Sequence, residues 1–160
     1  MISSSHESWV FGTHLHPLLT CVLATQGSVL EFGCGEWSTP VLHAYCLSTG
    51  RRFVSVDQDR GWADKIGAQL GVVIQTPDIS ALLKEEWSGV LVDSWPAEER
   101  SAIAAAMIHV ATFVLVHDYE LPMIAEPLDL ALRNCRYRRT YCGATPKSIA
   151  ISATREIPSL

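Results

Sequence analysis

Val-Leu-Glu-Phe-Gly-Cys-Gly, at residues 29–35, is the stretch of this 160-residue chain that decides its fold. An apolar run contains one acid, Glu31, and ends at two alternating glycines, Gly33 and Gly35. Because Trp-Ser-Thr-Pro and a helix-like segment come next, the order predicts a strand, a tight glycine turn and a helix. Such a turn lets backbone approach a ligand closely and points helix N-terminal N–H groups at an anion.

A second strand-like run supports a ligand site at the same edge of the sheet. Phe53–Val56 is apolar and is followed by Asp57. A carboxylate in this position can accept hydrogen bonds from ribose hydroxyls. The two signals together predict a site for a nucleoside-containing cofactor. The alternative for Gly33 and Gly35 is that they only form the turn between strand and helix.

The spacing of the glycines indicates which cofactor to expect. Ser38 stands where the dinucleotide fingerprint Gly-x-Gly-x-x-Gly has its third glycine, which packs strand and helix closely beside a pyrophosphate. Its absence disfavours NAD and FAD. The acid-x-Gly-x-Gly form resembles motif I of the class I S-adenosylmethionine (SAM)-dependent methyltransferases. SAM has no phosphate, and its ammonium and carboxylate suit an acid and the N–H groups of a turn.

Length and composition indicate one globular domain. The chain is 48% hydrophobic and 18% charged, and its length is enough to bury a core without a disulfide or a metal. The net charge of -5 argues against general affinity for nucleic acid. Four arginines cluster late in the chain, at positions 133, 136, 138 and 139. They are either a solvated helix end and strand edge or a patch that steers an anionic substrate.

The sequence carries no signal for secretion, membrane insertion or a cysteine-based metal site. Residues 1–7 have neither a basic nor a long apolar region, so no signal peptide is expected. No apolar run reaches the roughly 18 residues of a membrane span. The five cysteines form no Cys-x-x-Cys motif, which disfavours zinc and predicts buried thiols in a reducing compartment. We therefore expect a cytoplasmic protein without nucleic-acid or membrane partners.

Strand-like and helix-like segments alternate along the chain. The predicted strands are 29–32, 53–56, 72–75, 89–92 and 112–116, followed by 137–142 and 148–152, and the predicted helices are 15–25, 38–47, a helix that ends at Gly71, 79–86, 98–109 and 121–134 with a kink or restart at Pro127. Alternation predicts a parallel sheet with helices on both faces. The link at 143–147 is too short for a crossover helix, so the last two strands must be antiparallel.

These elements predict an α/β fold, a Rossmann-like seven-stranded, mostly parallel sheet with helices on both faces and a C-terminal antiparallel hairpin. This order resembles the class I methyltransferase fold over residues 28–153, in which one strand of the hairpin inserts into the sheet. We expect residues 1–27 to form an N-terminal helical cover segment and residues 28–160 to form the SAM-binding domain. Because the cover is short, completion of the site by a second subunit in a homodimer is a further hypothesis.

The resemblance implies a set of cofactor-binding residues: Glu31, Gly33, Cys34, Gly35, Asp57, Asp78 and Asp93. The glycine turn would pass under the amino-acid end of SAM, and Glu31 would orient the turn and the ammonium. Asp57 would bind the ribose hydroxyls, and Asp78 would lie near the adenine amino group. Turn chemistry after Pro77 explains Asp78 equally well, and Trp62 is either a cover for the adenine or a core residue.

Two further strand ends carry acids that could act on the methyl acceptor. Val-Asp-Ser-Trp ends at residue 95 and Val-His-Asp ends at residue 118. They resemble catechol O-methyltransferase and its small-molecule relatives, in which acids at these ends hold a divalent cation. The resemblance implies that Asp93 and Asp118 bind Mg²⁺, which would lower the pKa of a substrate hydroxyl. Tyr119 departs from that family, which has an amide ligand there, and the family's lysine base has no counterpart.

A metal-free alternative uses His117 or Asp118 as the general base on a substrate hydroxyl, with Asp93 also in the catalytic set. His117 could instead be a strand-end residue that bonds only to backbone. His14 and His16 lie in the segment that often covers the substrate in this fold, although such a pair can be incidental.

The sequence thus predicts a SAM-dependent methyltransferase that acts on a small molecule, at oxygen. Asp93-Ser94-Trp95-Pro96 lacks the Asn/Asp-Pro-Pro-Tyr/Phe motif of nucleobase amino-group methylation. Two alternatives stay open: a non-catalytic module with the same fold, and a nucleotide-dependent oxidoreductase, which the missing glycine disfavours.

Overall fold

One mixed sheet forms the centre of this protein, and a computed structural model describes it over residues 12–159. The strands are β1 (Val29–Phe32), β2 (Phe53–Val56), β3 (Trp87–Val92), β4 (Ala111–His117), β5 (Tyr137–Tyr141) and β6 (Ser148–Ser152). They lie in the order β2-β1-β3-β4-β6-β5, and the first four are parallel. The chain order reverses between β1 and β3, so their carboxyl ends form the switch point at which open α/β sheets bind ligands.

Helices cover both faces of the sheet. They are α1 (Leu15–Leu23), α2 (Ser38–Thr49), α3 (Arg60–Leu70), α4 (Ile79–Leu82), α5 (Arg100–Met107) and α6 (Pro122–Ala131), with a short 3₁₀ turn at Ala97–Glu99 before α5. Leu18 of α1 and Leu42 of α2 are buried with one face of the sheet, and Met107 of α5 and Leu128 of α6 with the other. Every residue of β3 is buried, as expected of a central parallel strand covered on both sides.

The prediction of seven strands was wrong, because the sheet of the described residues has six. The segment predicted as a strand at 72–75 makes a single bridge, from Gln75 to Val56. Val73 is 83% exposed, and only Ile74 is buried. With Pro77 close behind, this segment lies at the open edge beside β2 with little to bury, so it does not extend the pairing.

The last two strands form an antiparallel pair at the end of the sheet. β6 runs antiparallel to both β4 and β5, so one strand of the pair is inserted into the sheet. Val116 pairs with Ile149, and His117 with Ser148. The first strand of the pair ends at Tyr141, one residue before the predicted end.

Helix α2 begins without a side-chain cap, since its N-cap residue is Trp37. The Thr39 hydroxyl instead accepts a hydrogen bond from the N–H of Gly35, inside the preceding turn. Pro127 was expected to kink or restart the late helix, yet α6 continues through it as one helix.

Arg51 anchors the end of α1 that is remote from the glycine turn. Its guanidinium donates to the carbonyls of Val22 and Thr25, at 2.9 and 3.2 Å, and to that of Gly27. It also bonds the hydroxyl of Ser88 at the start of β3. The guanidinium thus supplies donors at and just beyond the C-terminus of α1, where intrahelical N–H donors run out. The bonds tie α1 to the sheet, and α1 in turn carries residues 12–14 to the opposite, carboxyl edge.

The structure can be compared with what the sequence indicated about membrane spans and cysteines. Within residues 12–159, no helix has both the length and the apolar character needed to cross a membrane. All five cysteines are free thiols. Cys21, Cys34 and Cys46 are buried as predicted, whereas Cys142 is exposed.

Gly33 occupies the tightest point between β1 and β3. Its φ is +89°, in the left-handed region that favours glycine. A Cβ atom there would lie 2.5 Å from the carbonyl oxygen of Asp93 and 2.7 Å from the Cα of Ser94. Both obstacles are backbone, so a side chain at this position would force the ends of the two strands apart.

We expect Gly33→Ala to lower the free energy of unfolding by about 3 kcal/mol or more, because strain at a positive φ adds to a backbone clash. Urea denaturation provides the measurement. Gly35→Ala is the matched control, since Gly35 has no positive φ and its Cβ would meet only the Ser38 hydroxyl, at 4.0 Å, among the described residues. Equal losses in the two variants would contradict this account.

Candidate functional site

A groove runs along the carboxyl edge of the parallel strands. It consists of two adjoining cavities of about 390 and 560 Å³ that share Gly33, Cys34, Trp62 and Asp93. The smaller cavity extends to His14, Trp37, His117 and Asp118, and the larger one to Asp57 and Trp95. The groove therefore has the glycine turn at its centre, Asp57 and Asp59 at one end, and a cluster of acids and histidines at the other.

Asp57 holds the glycine turn against the end of β2. Its Oδ2 accepts from the backbone N–H of Cys34 at 3.0 Å, and its Oδ1 accepts from the N–H of Asp59 at 2.8 Å. Trp62 closes the turn from the other side, since its indole N–H donates to the Cys34 carbonyl at 2.7 Å. The tryptophan is thus both packed, as the sequence favoured, and part of the groove wall.

Glu31 lies beneath the turn rather than in the groove. Its side chain is fully buried, and its Oε2 accepts from the hydroxyls of Thr39 at 2.8 Å and Ser55 at 2.6 Å. Because Thr39 also accepts from the Gly35 N–H, Glu31 orients the turn through Thr39. Burial raises the pKa of Glu31 to about 7, and the hydroxyl hydrogen bonds only partly oppose this shift. The carboxyl is close to half protonated at neutral pH.

Two other predicted cofactor residues lie in different surroundings. Cys34 contributes its backbone to the turn, while its thiol packs with Ala63 and Ile66. Burial and the nearby charge of Asp57 raise the thiol pKa far above its usual range, so it is no nucleophile. Asp78 is exposed and caps α4 by accepting from the N–H of Ala81, which is the turn alternative left open by the sequence. It does not line either cavity.

Arg100 occupies the space between the two acids predicted to hold Mg²⁺. Its Nη1 lies 2.9 Å from Asp93 Oδ1 and 2.7 Å from Asp118 Oδ2. Its Nε also donates to the carbonyl of Ser94 at 2.7 Å. A divalent ion bridging these acids would meet a buried guanidinium at close range. The residues present do not fit the predicted Mg²⁺ site, because the arginine already supplies the bridging cation.

The sequence interpretation missed Arg100, although one signal pointed to it. Arg100 opens α5, where a cation is disfavoured by the positive end of the helix dipole. Its side chain is nearly completely buried. A buried arginine at a helix N-terminus requires acidic partners, and the carboxyl ends of β3 and β4 provide two.

Asp93 is the centre of the acidic end of the groove. Burial works against its charge, but the hydrogen bond with His117 and the charge of Arg100 outweigh it, so the pKa of Asp93 lies below its usual value. Asp118 is held with a φ of +55°, an uncommon backbone conformation for a residue other than glycine. Asp93 therefore stays ionised, and both carboxylates line the groove.

His117 lies between Thr13 and Asp93. Its Nε2 is 2.9 Å from the Thr13 hydroxyl, and its Nδ1 is 3.2 Å from the Asp93 carboxylate. The single hydroxyl proton of Thr13 is donated to the carbonyl of Pro146. Thr13 must therefore accept from His117, which places a proton on Nε2. The alternative that His117 bonds only to backbone is wrong.

His14 completes the cluster from the segment before α1. It is 4% exposed, and its ring packs edge-on against His117 with centroids 4.5 Å apart. Neither of its ring nitrogens has a hydrogen-bond partner among residues 12–159. Burial lowers the pKa of His14 to about 4, more than the charge of Asp93 raises it, so the ring is neutral. His16 is exposed, so the two histidines of the pair have separate environments.

Two further features noted in the sequence lie off the groove. The Tyr119 hydroxyl donates to Asp129. Burial is the largest cause of the raised pKa of this phenol, and the hydrogen bond to Asp129 is the next. Because its hydroxyl is bonded to Asp129, Tyr119 does not replace the missing amide ligand. Arg138 pairs with the same aspartate. None of the four late arginines lines either cavity of the groove.

The fold matches solved methyltransferase structures, whereas no protein-family model and no curated protein matches the sequence. The bifunctional kinase-methyltransferase WbdD is 13% identical with a TM-score of 0.55, over 92% of this chain and 39% of that one. The METTL16 methyltransferase domain is 15% identical with a TM-score of 0.55, over 89% and 67%. The T. thermophilus 16S rRNA N2 G1207 methyltransferase RsmC, in complex with AdoMet and guanosine, is 11% identical with a TM-score of 0.51, over 94% and 42%.

These matches establish the fold and nothing finer. The chain spans about two fifths of the length of WbdD and of RsmC. At such identities it has the Rossmann-like α/β fold of class I methyltransferases, with six strands in the described residues. The catechol O-methyltransferase-like subgroup is not among the structures just compared.

Glu31 should make stability depend on pH. Its folded-state pKa of about 7 lies above the unfolded value of 4.5, so its contribution is fully present below pH 4.5 and is lost as pH rises to about 7. Between these pH values the raised pKa should lower the free energy of unfolding of the wild type by about 3 kcal/mol, and we expect Glu31→Gln to abolish this loss. Urea denaturation at several pH values tests it. The exposed control, Glu98→Gln, should follow the wild type, and an unchanged pH profile in Glu31→Gln would disprove the assignment.

Arg100 should be essential to the stability of the acidic end. We expect Arg100→Met to lower the free energy of unfolding by about 3 kcal/mol or more, because it leaves two partly buried carboxylates without their cation. Adding Asp118→Asn should recover part of the loss. Thermal and urea unfolding measure both effects. Arg60→Met, which breaks an exposed pair with Asp64, should cost less than about 1 kcal/mol. Failure of the second substitution to recover any stability would argue against charge balance as the cause.

Proposed function

We propose that this protein is a SAM-dependent methyltransferase that transfers a methyl group to an oxygen of a small-molecule acceptor. The observation that carries the proposal is the continuous groove at the switch point of the sheet. It places Asp57 at one end, the glycine turn in the middle, and Asp93 with Asp118 at the other end. The methyltransferase fold of the matched structures supports the same activity.

Gly35 is the evidence that the turn accommodates a ligand. Gly33 is required by its positive φ and by the backbone of Asp93, but Gly35 has neither reason to be glycine. A Cβ at Gly35 would point into open space, with the Ser38 hydroxyl at 4.0 Å as the nearest atom among the described residues. Neither the backbone conformation nor the packing requires a glycine at this position. The absence of a side chain therefore fits a place where a ligand approaches the main chain.

The groove provides partners for each part of SAM. The N-terminus of the 12-residue helix α2 offers N–H groups to the carboxylate. The oxygens of Asp57 each accept one backbone hydrogen bond and retain lone pairs for the ribose hydroxyls. Trp62 and Trp95 line the cavity beside Asp57, where they offer apolar surface to the adenine. Bound SAM supplies a methyl group already activated on a sulfonium, so the protein's main task is alignment.

The acceptor is expected at the acidic end of the groove. Both nitrogens of His117 are engaged, by Thr13 and by Asp93, so His117 positions Asp93 rather than acting as a free base. Arg100 holds Oδ2 of Asp118, and the Oδ1 atom lies 3.6 Å from His117 Nδ1. Asp118 Oδ1 is thus the better candidate to accept the proton of an acceptor hydroxyl.

Charge favours a small acceptor over a nucleic acid. The chain has a net charge of -5, and the acceptor end of the groove is lined by Asp93 and Asp118. A nucleic-acid backbone needs a surface of lysines and arginines instead. RsmC is an rRNA methyltransferase by name, and it shares only the fold with this chain.

We expect calorimetry to detect S-adenosylhomocysteine and SAM binding to the wild type, and Gly35→Ala to weaken it at least about tenfold without loss of stability, because the added methyl group fills the groove. We also expect a 2′,3′-dideoxy analogue of S-adenosylhomocysteine to bind wild type about tenfold more weakly, since it offers Asp57 no hydroxyl donor. Asp57→Ala should abolish this discrimination.

The ratio of the two affinities separates ribose recognition from damage to the turn, which would weaken both ligands alike. Asp64→Ala, an exposed acid on α3, should keep the wild-type ratio. Absence of binding by the folded wild type would overturn the proposed cofactor. Tight binding without S-adenosylhomocysteine formation over a panel of catechols, phenols and aliphatic alcohols would favour the non-catalytic module.

A further inference from the structure

Three side chains from separate parts of the chain converge at the acceptor end of the groove. His14 precedes α1, Asp93 follows β3, and His117 ends β4. One nitrogen or oxygen of each lies within 4.8 Å of the others. Asp93 Oδ2 is 3.2 Å from His117 Nδ1 and 3.9 Å from His14 Nδ1. Ligands held tetrahedrally at about 2.1 Å from an ion lie about 3.4 Å apart, so small adjustments suffice for one ion to reach all three.

His14 has no other function that its surroundings explain. It is 4% exposed, and both its nitrogens lack hydrogen-bond partners within the described part of the chain. A buried polar group without a partner destabilises the folded state. His14 faces the cavity beside Asp93 rather than the apolar core. A ligand on one of these nitrogens would remove that cost.

The hydrogen bonds of His117 also leave the contact between its Nδ1 and the Asp93 carboxylate unexplained. Thr13 donates to Pro146 and so must accept from Nε2, which fixes a proton on that nitrogen. In a neutral ring Nδ1 then carries only a lone pair, and it faces the carboxylate oxygens of Asp93. Two acceptors at 3.2 Å require a positive group between them, either a second ring proton or a metal ion.

We propose that His14, Asp93 and His117 bind one divalent transition-metal ion of the Zn²⁺ or Co²⁺ class. Two imidazoles and a carboxylate are the ligand set of such ions, whereas Mg²⁺ prefers oxygen ligands alone. Thr13 then has the position of the outer partner that metal-bound histidines have, orienting the ring through its other nitrogen. This site differs from the predicted one, because it uses Asp93 but not Asp118.

The surrounding charges allow a divalent ion here. Arg100 is balanced by Asp118, so Asp93 retains one negative charge for the ion. A net positive charge remains, which suits a negatively charged oxygen as a further ligand. Three protein ligands leave such a position open toward the cavity. Its use to lower the pKa of the acceptor hydroxyl rests on the proposed methyl transfer, whereas metal binding itself does not.

The test is a titration of the metal-free full chain with Co²⁺ and with Zn²⁺, without SAM. We expect one equivalent to bind in calorimetry, with visible d–d absorption for Co²⁺. His14→Leu fills the same space without nitrogens, and should weaken binding at least about 100-fold. The matched variant His16→Leu, on the exposed neighbour, should bind as the wild type does. Thr13→Val should weaken binding about tenfold.

Folding controls keep these outcomes decisive. Asp93→Asn should also abolish binding, and thermal unfolding of each metal-free variant shows whether it is folded. If Asp93→Asn does not fold, His14→Leu and Thr13→Val decide, since neither removes a charge. Binding by His14→Leu at wild-type affinity, or no uptake of either ion by the folded wild type, would overturn the proposal. SAM titration of the same metal-free protein tests the methyltransferase separately.

Discussion

The close approach of the Gly33 turn to the end of β3 is the constraint on which the site depends. Phe32 and Val92 are paired in register, and the N–H of Asp93 donates to the Phe32 carbonyl at 2.8 Å. Only a residue without a Cβ lets the two backbones pass here. As a result the turn that faces the proposed cofactor and the acid that faces the proposed acceptor share one edge of the sheet, at its switch point.

Four acids lie at or beneath this edge, and each is accommodated differently. Glu31 is fully buried, and burial raises its pKa to about 7. Asp57 accepts backbone N–H groups from the turn that it supports. Asp93 and Asp118 share the guanidinium of Arg100. One buried arginine thereby pairs with two carboxylates beside a cavity, and neither acid is left without a cationic partner.

The sequence interpretation failed where an outcome depended on contacts between distant segments. The strand expected at 72–75 has the right residues, but at an open edge it has no second neighbour to pair with. Asp78 is the exception, because its carboxylate caps α4 by accepting from the N–H of Ala81, the local alternative that the sequence left open. Magnesium at Asp93 and Asp118 fitted both strand ends until Arg100, from the next helix, was found between them.

The sequence by itself determined the α/β class, the glycine turn after β1 and the acids at the strand ends, because periodicity, glycine conformation and strand termini are local properties. The tertiary structure alone decided which of those acids meet. Strand register brings Asp93 beside His117, the start of α5 inserts Arg100 between the acids, and the docking of α1 carries His14 and Thr13 to the same place. Arg100 and Asp93 are seven residues apart, but the other partners are at least 18 residues apart in the chain, so no local pattern encodes their distances.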